Sequence, residues 1–265
     1  MSDETQLPVE ATSDAPAEAA SATPAEAPAA PPPAKAGYPF SVLQVLTTSL
    51  RITKHNFVPF FLLALVLEVP AIVLQVVGLK GHVLLAFVVG LIVSAFTQAV
   101  VAYGAIMELQ GSRPSTRACI AMGFAQLGRV LGVTVVSSLV IGGAMLLLVV
   151  PGIIVSLMFY VIVPVTLIEG LGIRAAMKRS RELTDGRKGD ICLIAMLAGG
   201  VAIVLELYGY RQLGHDAAIV WRTLGTAVTS MFFAVTVAVT YFELRKLREG
   251  SDVPELATAF ARIRK

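Results

Sequence analysis

An all-α, polytopic membrane protein with six transmembrane helices is the fold class the sequence predicts, on three observations. Of 265 residues, 56% are hydrophobic and 15% charged, where a soluble domain carries about 25% charged residues. The apolar residues gather in blocks long enough to cross hydrocarbon, which takes roughly 20 residues for ~30 Å. Lys and Arg fall almost entirely on alternate connections between those blocks, the asymmetry that sets membrane orientation. A mean hydropathy of +0.77 excludes an ordinary soluble enzyme.

The first segment, residues 1–36, is Ala- and Pro-rich and holds Asp3, Glu4, Glu10, Asp14, Glu18 and Glu26 against Lys35. It carries −5, which leaves +8 for the body of a chain whose total is +3. It has no apolar core for a signal peptide, and its acidity does not suit a transit peptide. So few branched and aromatic side chains cannot offset the entropy of ordering, so a disordered tether is expected. Pro31, Pro32 and Pro33 also suit a polyproline arm for a protein partner.

The membrane domain is expected over 37–250. Its apolar blocks run from Phe57 to Gly78, His82 to Met107, Val130 to Glu169, Ile191 to Tyr208 and Ala217 to Glu243. The third is twice the length of one crossing, and Pro151-Gly152 at its middle predicts a helical hairpin. Eighteen Lys and Arg lie on one side, and Lys80, Arg211 and Arg222 on the other. Both termini are therefore expected on the cytoplasmic side. Cys119 and Cys192 have no metal or redox spacing and read as reduced packing thiols.

A threefold internal repeat emerges at the cytoplasmic exits: Glu108-Leu-Gln-Gly-Ser-Arg113, Glu169-Gly-Leu-Gly-Ile-Arg174 and Glu243-Leu-Arg-Lys-Leu-Arg248. Each unit reads as an amphipathic interfacial helix followed by a hairpin. The first helix has Ser41 as N-cap with Gln44 three residues on, Phe40 and Val45 as a staple, and Leu43, Leu46 and Leu50 on one face. The second sets Ile120, Phe124 and Leu127 against Arg113 and Arg117. The third sets Ile173, Met177 and Leu183 against Arg174, Lys178 and Arg181, with Gly186 as its stop. A closing amphipathic helix is expected over 251–265, with Leu256, Ala259, Phe260 and Ile263 on one face. Such helices lie in the interface plane with their cations toward anionic headgroups.

Candidate sites are few. Glu68 falls about 16 Å along its span, near mid-bilayer, where an ionisable side chain is a functional hypothesis by default. Thr97 and Gln98 lie at similar depth. The three form either a polar path for a proton, cation or substrate, or a protonated carboxyl bonded to a neighbouring helix. Arg174, Lys178, Arg179, Arg181, Arg187 and Lys188 form either a site for lipid headgroups or plain positive-inside topology. Glu206 and Arg222 suit an ion pair or snorkelling, and Glu108, Glu169 and Glu243 suit caps and ion pairs. Gly90/Ser94, Ser138/Gly142 and Ala195/Gly199 have the spacing of close helix packing. His55, His82 and His215 are isolated, and no catalytic motif, metal-ligand spacing or phosphate loop is present. No enzymatic activity, cofactor, metal or nucleic-acid partner is expected.

The stretch Pro151-Gly-Ile-Ile, Pro164-Val, Glu169-Gly and Ala175-Ala-Met-Lys-Arg-Ser-Arg-Glu-Leu-Thr-Asp-Gly186, followed by Tyr241-Phe-Glu-Leu-Arg-Lys-Leu-Arg-Glu-Gly250, resembles the six-helix membrane domain named for glycerophosphoryl diester phosphodiesterases. The resemblance spans most of Tyr38 to Phe260. It implies a bacterial or archaeal integral membrane protein, in some relatives fused to a soluble phosphodiesterase barrel. The chain has no such barrel sequence, so no hydrolase activity is carried over. The function expected is a non-enzymatic accessory or scaffold of a bacterial plasma membrane. Its partners are anionic lipid headgroups at the basic cytoplasmic face, another membrane protein, or a second copy. The alternative is a small transporter using the path at Glu68.

Overall fold

The computed structural model describes residues 40–76, 83–112, 115–212 and 215–249, all within the unit 33–265. The expected acidic tail and the closing helix over 251–265 lie outside the described residues. Among those described there are nine helices and no strand: α1 Val42–His55, α2 Phe57–Val76, α3 Val83–Leu109, α4 Thr116–Leu147, α5 Val149–Met158, α6 Ile162–Glu169, α7 Ile173–Thr184, α8 Lys188–Gln212 and α9 His215–Glu249. Five helices are long and apolar enough to cross a membrane, α5 and α6 counting as one, and the bent pair α1–α2 makes six. These are the helices of a multi-pass membrane protein.

Ser41 caps α1 as expected, its side chain accepting the Gln44 N–H at 3.4 Å. The chain then turns by 84° at Asn56 into α2. The expected Leu face of α1 is split: Leu43 and Leu50 are exposed, Leu46 packs against the core, and Val45, Ser49, Ile52 and Thr53 face the bundle. In α4 no break separates the amphipathic stretch from the span. No proline interrupts residues 116–147, and glycine alone weakens a helix by only about 1 kcal/mol. Its buried stripe is Cys119, Gly123, Gln126, Val130, Val133 and Ser137, whereas Phe124 of the expected apolar face is exposed.

The expected hairpin is present, but its turn is at Leu148, three residues before Pro151. Pro151 instead occupies the first turn of α5, where a backbone N–H has no intrahelical acceptor to lose. Gly152 lets the two arms close, since a Cβ there would come within 2.8 Å of the Met145 Cα. The returning arm breaks at Phe159–Val161. Pro164 accounts for the break, because it cannot donate to the residue 160 carbonyl and its ring crowds that position.

Packing places α3, α6 and α9 at the centre, in contact with one another. About half of each inner span is buried (50%, 44% and 50%), against 17% of α4 and of α8. Residues 162–168 of α6 are all buried. Besides Gly152, the glycines at the closest contacts are Gly104, whose Cβ would lie 2.8 Å from the Phe60 ring, and Gly123, whose Cβ would overlap Val100. By contrast Gly90, Gly142 and Gly199, expected at helix contacts, have nothing within 4 Å. Small-residue spacing marks a smooth face without fixing which way that face points.

Candidate functional site

Gly170, at φ +62, ends α6 in the left-handed conformation that favours glycine. The chain then enters α7, whose buried face is Ala176, Ser180, Leu183 and Thr184. That face docks on the α5–α6 break. The Ile162 N–H bonds the Phe159 carbonyl, so the Met158 carbonyl has no helical donor there. Ser180 donates its hydroxyl to it at 2.8 Å, with Thr184 at 3.4 Å. A side chain thus satisfies the buried backbone group that the break exposes.

Beside this contact, five side chains from three helices close a ring. Arg179 of α7 donates from Nε to both oxygens of Glu169 at the end of α6, at 3.2 and 3.0 Å, and from Nη2 to Glu249 of α9. Arg245 donates to Glu249 at 2.6 Å and to the Tyr241 hydroxyl oxygen at 3.2 Å. Tyr241 donates to Glu169 at 3.0 Å and completes the circuit. The four charged side chains are 16–24% exposed, and Tyr241 is buried. Two carboxylates and two guanidinium groups balance, and all four carboxylate oxygens accept a hydrogen bond. Such a closed, charge-neutral set acts as a clamp joining α6, α7 and α9. Arg248 adds a tie from α9 to the end of α7, donating to the Asp185 carbonyl at 2.6 Å.

A second cluster pins the α1–α2 elbow to the end of α3. Glu108 takes hydrogen bonds from His55 Nδ1 at 2.8 Å and from the Asn56 amide. Glu108 and Glu169 therefore each hold a different element in place, and Glu169 does so through Arg179 and not the Arg174 of its own signature. Arg113 lies outside the described residues, and Arg174 is exposed and outside the ring.

The six basic candidates separate into two groups. Arg179 is committed to the ring. Arg174, Lys178, Arg181 and Arg187 are exposed, and Lys188 is half-buried. Lys178 pairs with Glu182 at 3.9 Å, Lys188 with Asp185 at 3.5 Å, and Arg187 with Asp190 at 3.3 Å while also resting 5.9 Å from the Phe40 ring centre. Exposed pairs of this kind contribute about 1 kcal/mol or less. Within the spans, Glu68 is half-buried and no hydrogen bond joins it to Thr97 or Gln98. Gln98 donates to Ser94 on its own helix at 3.4 Å, and the buried Thr97 hydroxyl has no partner. The Glu206 side chain, expected to meet Arg222, lies outside the described residues.

Tyr241, Arg245 and Glu249 were not candidates from the sequence, although their i, i+4, i+8 spacing aligns them on one face of a helix. Both free cysteines are isolated, Cys119 buried and Cys192 half-buried. Among the described residues no group of three His, Cys, Asp or Glu side chains is placed to hold a metal ion. Comparison with protein-family models, curated proteins and solved structures finds no match for the chain.

Proposed function

We propose that the protein is a non-enzymatic accessory or scaffold of a bacterial plasma membrane that contacts anionic lipid headgroups, or a lipid-related partner, through α7. The observation that carries this reading is the division of α7 between its two faces. Ser180, Leu183 and the Arg179 ring fix one face to the bundle, which leaves Arg174, Lys178 and Arg181 exposed on a helix that cannot swing away. Each basic residue near an anionic surface contributes about 1 kcal/mol, so three held together give a contact that a mobile loop would weaken. Both termini are cytoplasmic in this reading, and the α7 face lies against the inner leaflet. The chain is built as three hairpin units, a reading supported by the central placing of α3, α6 and α9, the second arm of each unit.

The test is to replace Arg174, Lys178 and Arg181 together by Gln in the full chain and to measure phospholipid retained on purification. Anionic lipid per protein should fall at least about threefold, each charge contributing on the order of 1 kcal/mol, with zwitterionic lipid unchanged. An unaltered anionic content would reject the reading.

A further inference from the structure

A cavity of about 460 Å3 opens between the α1–α2 elbow, α8 and α9. It falls within the range of about 300–1000 Å3 that small-ligand sites occupy. Its wall is apolar apart from Thr53, Lys54 and Thr229; Phe57, Val201 and Phe232 are among its apolar members. Along α8 it reaches from Ala198 to Leu205, seven residues or about 10 Å of helix axis. Leu50, Phe57 and Val201 of the wall are exposed, so the cavity is open at its side to whatever surrounds the bundle.

Two features of its upper rim point to a ligand with a polar head. Lys54 is exposed there, on a helix that contains Arg51 and Lys54 and no acidic residue. Because α1 runs at 84° to α2, a spanning α2 lays α1 along the membrane surface, with Lys54 at headgroup level above an apolar slot. Thr53 is 7% exposed and its hydroxyl has no hydrogen-bond partner. Thr229, across the cavity, bonds the Gly225 carbonyl of its own helix at 2.8 Å, as Thr166, Thr236 and Thr240 do one turn back in theirs. Thr53 makes no such bond, so a buried donor in the wall awaits an acceptor.

We propose that this cavity is a binding site for one anionic phospholipid of the leaflet on the α1 side. One acyl chain fills the slot along α8, the phosphate meets Lys54, and the Thr53 hydroxyl donates to an ester oxygen. Polar and apolar parts of one molecule match the two ends of one cavity. The site shares no residue with the α7 face, so it stands or falls apart from the scaffold reading.

The test is native mass spectrometry of the full-length protein in detergent, after equilibration with equal phosphatidylglycerol and phosphatidylcholine of identical chains. The wild type should carry one tightly held phospholipid, mostly phosphatidylglycerol. Val201→Trp, which fills the slot, should lower that occupancy at least about fivefold, a change equivalent to roughly 1 kcal/mol. Met196→Trp places the same indole on α8 at an exposed position outside the cavity and should leave occupancy intact, which separates blockage from damage to the helix. Lys54→Gln should keep the lipid and lose the preference for phosphatidylglycerol. The Gln triple variant of α7 should retain this single lipid. Equal occupancy in Val201→Trp and wild type, equal loss in both Trp variants, or a bound second copy in place of lipid would overturn the proposal.

Discussion

Arg179 is the residue on which the α7 end depends most, because it alone touches both carboxylates of the ring. Arg179→Gln leaves Glu169 and Glu249 close together without a cation between them. A fully buried pair broken this way loses about 3–5 kcal/mol, and the partial exposure of these groups reduces the expected loss to about 1–3 kcal/mol. Denaturant titration in mixed micelles measures it, and the double variant Arg179→Gln, Glu249→Gln should recover part of the loss, as a coupled pair requires. Ser180→Ala removes the closer of two hydroxyl donors to the Met158 carbonyl and should cost about 1 kcal/mol. A value near zero would show that Thr184 suffices. Glu169 and Arg179 were visible in the sequence as charged residues flanking a span. Their union with Tyr241, 72 positions from Glu169, was not, because spacing reports neighbours along one helix and cannot report which helix ends meet.

At the scale of elements, hydrophobic blocks located the long apolar helices and the hairpin, while the exact turn and the faces of the helices were harder to read. In water an apolar stripe turns inward; in lipid the bulk solvent is as apolar as leucine, and close packing favours small and hydroxyl side chains. That reversal explains why Leu43 and Leu50 of α1 face outward while Val45, Ser49 and Thr53 face the bundle. It also separates two kinds of glycine. Gly123→Ala drives a methyl into Val100 and the Phe96 ring and should destabilise by about 1–3 kcal/mol. Gly142→Ala meets open space and should be neutral or stabilising by up to about 1 kcal/mol. Paired melting curves of the two variants decide the matter, and equal effects would contradict the placement of α4 against α3.

For the whole molecule, the arrangement rests on whether the bent pair α1–α2 completes a crossing. Five other helices qualify on length and composition, and an odd number would put the two ends of the chain on opposite sides. The charge distribution argues for six, because eighteen of the 21 Lys and Arg fall on one side only if α2 crosses. Structure supplies a physical reason for α2 to do so while α1 does not. From Phe57 to Val76, α2 is 20 residues of almost wholly apolar sequence, enough for ~30 Å of hydrocarbon. α1 carries Arg51 and Lys54 within 14 residues, too short and too charged to enter. Fusions of a reporter that fluoresces only in the cytoplasm should therefore be bright at Met1 and at Lys265, and a phosphatase active only outside should be silent at both. Inserting the phosphatase between Gly78 and His82 should turn it on, since that connection follows the first crossing. Opposite signals at the two ends would make α1–α2 a re-entrant pair and reduce the spans to five, with the insertion then reading the same side as Met1.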